Sequence, residues 1–539
     1  MKAFTEPLLS LAGFEEMTKT AEKSSGLISV TGCIDAQKSQ MIYAFGGHRK
    51  NKLIVTFGEQ KAKELYDEYS FFDKEVVYYP SKDVLFYQSD IRGNLLTAER
   101  IRALKAIHEQ ESVTLVTTFD ALMNTMAPIE KMWENVLTLE QGQLLDLKEI
   151  QAALIRMGYE KEYQVQTMGQ FSVRGGILDV FPLTEENPIR IELWGDEIDT
   201  IRYFDCESQK SIENTDRVSI YPAAEIVLSD EEKAGGIEKL KAEAKRVSDK
   251  LRKQMKTEEA HRVTVMADEL TEEWGELSMY AGMDAFLSYF FDERVGLLDY
   301  FKPSDSLIFF DELTRCTEQG KLTETEFSES MKQRLAMGYI LPGQMNGLFT
   351  EKEIVAKLEK YSCIALGALD NKANGLHQLG SYGIHCQSVS PYNNSFELLI
   401  KDLKRYKKNG YRVILLSGSR TRAKRLSEDI TDQGITCFYT ENYDHELFEG
   451  QIMVCYGKVR RGFEYPILKF AVITESDIFG AQQKKKKRHR TYEGEKIQSF
   501  TDLSVGDYVV HENHGLGIYR GIEKLEVDKK VKDYIKIEY

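Results

Sequence analysis

At 539 residues, with 42% hydrophobic and 29% charged residues, the chain has the composition of an ordinary globular protein of roughly three or four domains. A formal net charge of -15 repels nucleic acid over the molecule as a whole, so any such contact requires a local basic patch. No apolar run approaches the roughly 20 residues that span a bilayer, and Met1 to Ser10 lacks the layout of a secretion signal, which predicts a cytoplasmic protein. The cysteines, Cys33, Cys206, Cys316, Cys363, Cys386, Cys437 and Cys455, are scattered without a C-x-x-C pair and read as buried thiols rather than a zinc or dithiol centre.

From Leu27 to Met123 short apolar runs alternate with amphipathic stretches. LISVT from Leu27, LIVTF from Leu53, VVYYP from Val76 and VTLVTT from Val113 read as strands, with a helix such as Glu59 to Tyr69 between them, the pattern of βαβ units around a parallel sheet. Around Gln170 the helices disappear, leaving FSVRGGILDVFP and PIRIELWGDEIDTIRYFD. Alternation in the second segment puts Ile189, Ile191 and Leu193 on one face and Arg190, Glu192 and Trp194 on the other, with Gly195 and Asp196 opening a hairpin turn. A long polar helix follows near Ile237 to Met255, then an apolar strand SLIFFDE from Ser306. The β-rich segment therefore reads as inserted into an α/β domain.

A further α/β unit is expected from Pro391 to Phe479, with strands RVILL, ITCFY, QIMVCY and FAVIT. QQKKKKRHR, from Gln482 to Arg490, reads as a solvated linker, with phosphate contact the weaker alternative. Beyond it, VGDYVVHENHGLGIYRGIEKLEV and DYIKIEY have the glycine-punctuated texture of a small β-barrel. The chain ends at Tyr539 inside such a strand, which predicts an incomplete barrel and a longer parent.

Gly32 to Ser39 reads GCIDAQKS between strand and helix, where a phosphate loop G-x-x-x-x-G-K-[ST] belongs. Lys38 and Ser39 stand in their places, but Gln37 replaces the second glycine, adding a side chain where backbone N–H groups must approach phosphate, and Asp35 adds negative charge. The loop therefore reads as degenerate. Asp311 and Glu312, ending SLIFFDE, match the acidic pair that holds Mg²⁺ in ATPases, although a carboxylate pair at a strand end is common without that role. GSRTRAKR from Gly418 is only superficially similar to a phosphate loop, with Ala423 and Arg425 at the diagnostic glycine and hydroxyl positions. His511 and His514, spaced H-x-x-H, lack a third ligand nearby and read as turn residues rather than a metal site. An exposed tryptophan flanked by arginine, as in Arg190 and Trp194, marks a surface a partner covers, or one packed on a neighbouring domain, and Arg174 is a candidate for the same surface.

Together these segments resemble the N-terminal half of the bacterial transcription-repair coupling factor family, Mfd. The eroded loop, the inserted β-module and the returning SLIFFDE look like the damage-recognition helicase UvrB over roughly the first 375 residues, and VGDYVVHENHGLGIYRG resembles the RNA-polymerase-interacting domain shared with CarD-type regulators. The fold class this implies is multidomain α/β: a UvrB-like degenerate helicase sheet, residues 1–140 and 226–385, interrupted by a β-rich UvrA-binding domain, 141–225. A small α/β domain of unknown role, 386–480, a basic linker, 481–500, and the start of an SH3/Tudor-like β-barrel, 501–539, complete it.

The resemblance further implies UvrA binding through Arg174, Arg190 and Trp194, where the family commonly carries phenylalanine or a similar apolar residue in place of Trp194. It implies contact with the RNA polymerase β subunit through the barrel, with Leu525 the apolar candidate. Complete family members continue into an ATP- and Mg-dependent DNA translocase that carries most of the DNA contact. This chain is accordingly expected to be a monomeric, non-catalytic adaptor of transcription-coupled nucleotide excision repair without nucleotide, metal or membrane. The alternatives are an active UvrB-like ATPase or helicase, which the acidic pair keeps open, and a CarD-like transcription regulator.

Overall fold

Gly26–Thr31 (β1) is buried along its length, as an apolar run inside a parallel sheet requires. It opens an α/β body whose next strands are Asn51–Thr56 (β2), Val77–Tyr79 (β3) and Thr114–Thr118 (β4). The computed structural model describes all residues except 47–48, 83–93, 277–281, 371–374, 481–507, 512–514, 528–529 and 539. Four helices of this body bear on the site: Lys2–Leu9 (α1), Phe14–Lys23 (α2), Asp35–Phe45 (α3) and Glu59–Tyr69 (α4).

The chain then leaves the body for a β-rich module: Leu137–Glu140 (β5), Glu160–Lys161 (β6), Gln170–Arg174 (β7), Ile177–Val180 (β8), Ile189–Trp194 (β9), Glu197–Phe204 (β10), Ser211–Thr215 (β11) and Arg217–Ile220 (β12). Six of these strands form a sheet in the order β11-β10-β9-β8-β7-β6, and β12 pairs with β5. Ile189, Ile191, Ile198, Ile201, Phe171 and Leu178 fill its core.

Ser306–Asp311 (β13), Ser362–Leu366 (β14) and Gln378–Gly383 (β15) return to the first body and complete a seven-stranded sheet in the order β15-β1-β14-β13-β2-β4-β3. Every pairing in that sheet is parallel. Strands from before and after the module thus share one sheet, and the module is an insertion. Its exit is bound to the body by Glu225, which receives Arg100 Nε at 2.8 Å and Nη2 at 3.0 Å, while Arg100 Nη1 donates to the Pro80 carbonyl at 2.7 Å. Helices Asp230–Lys253 and Thr257–Glu276 precede β13 and pack around Trp274, Phe286 and Phe290 in a core of their own. The sequence pattern alone merges this helical region with the returning α/β segment.

The third α/β unit comprises Gln387–Ser388 (β16), Arg412–Ser417 (β17), Phe438–Tyr439 (β18), Ile452–Tyr456 (β19), Phe463–Tyr465 (β20) and Phe470–Thr474 (β21), ordered β16-β20-β21-β17-β19-β18. The expected strand ITCFY contracts to Phe438 and Tyr439, because Ile435 is drawn instead into the apolar core with Leu426 and Ile430. One face of this unit shares a core with α1, α3 and α4: Phe4 stacks edge-on against Phe71 and Phe72, and Met453, Cys455 and Tyr465 join the same cluster. Gln40 of α3 seals that contact, donating to the Phe4 carbonyl at 2.6 Å and accepting from the Tyr465 hydroxyl at 3.2 Å.

Residues 1–480 form one compact unit and 481–539 a second. In the second, Tyr508–His511 (β22), Gly515–Val527 (β23) and Lys530–Glu538 (β24) make an antiparallel three-stranded meander. Among the described residues no helix is long and apolar enough to cross a membrane.

Candidate functional site

The eroded loop follows β1 and leads into α3. Gly32 adopts φ +77°, and a Cβ there would lie 2.1 Å from the Ile384 carbonyl oxygen, so only glycine fits. The start of the loop is tied to the segment after β14: the Gly32 N–H donates to the Ala368 carbonyl at 3.2 Å and the Cys33 N–H to that of Gly367 at 3.0 Å. Gln37, Lys38 and Ser39 are all buried. Gln37 therefore stands in protein interior where a working loop keeps an open cradle for phosphate.

Lys38 is the centre of this arrangement. Its Nζ lies 2.5 Å from Asp311 Oδ1, 3.0 Å from Glu312 Oε1 and 3.1 Å from Asp35 Oδ1, with Lys38 and Asp311 each only 1% exposed. Burial alone would push the ammonium down, but Asp311, Glu312 and Asp35 outweigh it and hold Lys38 above the ordinary lysine range. Burial likewise opposes ionisation of Asp35, yet Lys61 and Lys38 hold its carboxyl down at about 2. The second Asp311 oxygen accepts from Thr56 Oγ1 at 3.0 Å, and Glu312 Oε1 accepts from the Ala368 N–H at 3.2 Å. The acidic pair and the lysine that an ATPase uses on Mg²⁺ and phosphate are here bonded to one another. Their charges are neutralised against one another inside the protein.

The β-module presents a different surface. Its strands alternate as the sequence requires: Ile189 and Ile191 are buried, Arg190 and Glu192 lie at intermediate depth, and Trp194 is 85% exposed. Gly195, at φ +65°, turns the chain so that Trp194 faces Glu197 across the hairpin. Behind this tip lies a buried carboxylate that sequence reasoning missed. Asp179 on β8, 1% exposed, accepts from Arg190 Nε and Nη2 at 2.7 and 2.8 Å and from Arg174 Nη2 at 2.7 Å. Arg190 also donates to Gln209 Oε1 at 2.8 Å and stacks on Phe204 with its guanidinium 4.3 Å from the ring.

Arg190 is thus a fixed group with 12% exposure, whereas Arg174 keeps 35% of its side chain in solvent. Glu192 pairs with Arg202, which stands beside Arg190 in the next strand. The structure brings Arg174 and Arg190 together on Asp179, while Trp194 shares their sheet face by register but stands at the hairpin tip, four residues beyond Arg190. The sequence signal for Asp179 was present: an aspartate five residues after Arg174 across a Gly-Gly turn places opposite charges on paired strands.

Leu525 lies on β23, in register with Lys532, and its side-chain surroundings fall outside the described residues. The basic run Lys484 to Arg490 and His514 also fall outside them, while His511 ends β22.

The β-module thus carries an exposed aromatic at a hairpin tip and two arginines bonded to a buried acid, and it is inserted into an α/β scaffold in which Lys38 is paired with Asp311 and Glu312. Residues 137–226 match the UvrB interaction domain family, and residues 503–539 match the CarD-like/TRCF RID domain family. The chain is similar over nearly its whole length to the N-terminal region of transcription-repair-coupling factors. It is 30% identical to that of Bacillus subtilis strain 168 over 489 residues, 90% of this chain and 41% of the relative. Against that of Staphylococcus haemolyticus it is 29% identical over 524 residues, 95% of this chain and 43% of the relative, and against that of Staphylococcus aureus strain USA300 28% over 541 residues, 98% and 44%. The chain thus spans about two-fifths of the length of these curated relatives.

Proposed function

We propose that this chain is a non-catalytic adaptor that couples transcription to nucleotide excision repair, holding UvrA with its β-module and the RNA polymerase β subunit with its C-terminal unit. The observation that carries the reading is Trp194, a large apolar side chain left in solvent on the strand that carries Arg190, within the segment matching the UvrB interaction domain. Aromatic and arginine anchors are the residue types that dominate interface energetics. In this reading Trp194 is the apolar anchor, Arg174 offers its solvent-facing donors to acceptors on UvrA, and Arg190 fixes the hairpin that carries the tryptophan. The three C-terminal strands belong to an SH3/Tudor-like barrel, and Leu525 is its apolar polymerase contact. In this reading the chain works without nucleotide, which the pairing of Lys38 with Asp311 and Glu312 supports.

The adaptor reading is tested by bridging. RNA polymerase immobilised on a support should retain UvrA only after this chain is added. Retention of the chain without UvrA would favour a polymerase-binding regulator of the CarD type, and retention of neither would remove the proposal.

A further inference from the structure

The third α/β unit has a charged edge that the adaptor reading does not use. Strands β19, β17 and β21 are parallel neighbours, Ser417 in register with Tyr456 and Leu416 with Thr474. The loops that follow their C-terminal ends therefore lie side by side, at the edge where open parallel sheets carry their ligands. The Gly457 N–H donates to the Ser417 carbonyl at 3.0 Å, and Ser476 Oγ donates to the Arg460 carbonyl, tying all three loops together.

Two of these segments are GSRTRAKR from Gly418 and GKVRRG from Gly457. The first carries Arg420, Arg422, Lys424 and Arg425, the second Lys458, Arg460 and Arg461, and neither contains an acid. All seven cations are exposed. Three have carboxylate partners: Arg420 with Glu441 at 3.2 Å, Arg422 with Glu475, and Arg460 with Glu64 at 2.6 Å. Lys424 lies 5.4 Å from the centre of the Tyr439 ring. Among the described residues Arg425, Lys458 and Arg461 make no ion pair, and the charge of Arg461 acts at longer range on the buried Asp477 carboxyl.

We infer that this edge binds the phosphodiester backbone of DNA. A protein of net charge -15 that gathers seven cations on one sheet edge has the local patch that nucleic-acid contact needs. Five of the seven are arginines, whose planar fork matches phosphate oxygens. An acidic protein is the less suitable partner, because neither segment has a large exposed apolar side chain to form an interface core. The contact is to backbone and not to bases: the cations lie on the loop from Gly457 and on the first turns of Arg420–Asp432, a spread of charge that suits phosphate rather than base edges. Its affinity falls in the range of sequence-independent binding, roughly 10⁻⁴ to 10⁻⁶ M at physiological salt.

The test is fluorescence anisotropy of a labelled random-sequence 20-base-pair duplex with the full chain across a salt series. The variant Arg425→Ala, Lys458→Ala, Arg461→Ala should weaken binding at least tenfold and reduce the slope of log affinity against log salt by about 3, one for each phosphate that is no longer neutralised. Because all three side chains are exposed, its circular dichroism and melting should match wild type. A second variant replaces Lys484, Lys485, Lys486 and Lys487 by alanine. If that change alone abolishes binding and the triple variant keeps wild-type affinity and slope, the inference is wrong. Polyglutamate competing as strongly as unlabelled duplex, at equal charge, would overturn it in favour of a general acidic-polymer surface.

Discussion

Replacing Lys38 by methionine separates a structural lysine from a nucleotide-binding one. The substitution keeps an apolar stem and removes the charge that faces Asp311, itself 1% exposed. Asp311 is left with the Thr56 hydroxyl on one oxygen and no cation on the other. Removing one partner of a buried ion pair costs about 3–5 kcal/mol. The double variant Lys38→Met, Asp311→Asn should recover most of the loss, because it removes both charges together. Melting followed by circular dichroism in nucleotide-free buffer at pH 7.5 measures all three proteins. If Lys38→Met melts with wild type while wild type is stabilised by ATP and Mg²⁺, the lysine serves nucleotide and not the fold.

Two further substitutions probe the rest of the scaffold. Burial pushes the Glu68 carboxyl up to about 7, with Arg460 and Lys61 opposing. The folded state therefore holds a proton that the unfolded chain releases near 4.5, and stability contributed by the neutral acid is lost as pH rises from about 4.5 through 7. Glu68→Gln should flatten that slope and stabilise the protein above pH 7 by up to roughly 3 kcal/mol, seen as a higher melting temperature at pH 8 and little change at pH 5. Asp179→Asn weakens the anchor shared by Arg174 and Arg190. It should destabilise the β-module by about 3 kcal/mol and lower UvrA affinity by about tenfold without removing either arginine, as measured by denaturant melts and calorimetric titration.

Much of the scaffold was legible because its signals are local. Alternation in IRIELW placed Ile189 and Ile191 inward and Trp194 outward, and Gly195 with Asp196 marked the turn. The helix Glu59–Tyr69 was read with its observed ends. The GCIDAQKS segment marked the strand-to-helix turn where a phosphate loop belongs, with Gln37 at the glycine position. What fills that site was not legible, because Lys38 meets Asp311 across 273 positions of sequence and no local pattern encodes the pairing. The same holds for the core shared by α1, α3, α4 and the third α/β unit, whereas Asp179 had a local signal, five residues from Arg174 and eleven from Arg190, whose weight appears only once the strands pair. Gln40 reads as an ordinary polar helix residue until Tyr465, 425 positions away, is seen beside it. The basic edge was half visible: GSRTRAKR drew attention as a poor phosphate loop, and only the parallel pairing of β17 with β19 sets it against GKVRRG.

The central claim is that the Arg190 and Trp194 face recruits UvrA. Isothermal titration of UvrA into the wild-type chain and into the Arg190→Ala, Trp194→Ala variant tests it most directly, with circular dichroism to establish folding. The account predicts a loss of several kcal/mol of binding, more than a hundredfold in affinity, from a variant that remains folded. A folded double variant that binds UvrA as tightly as wild type would contradict it.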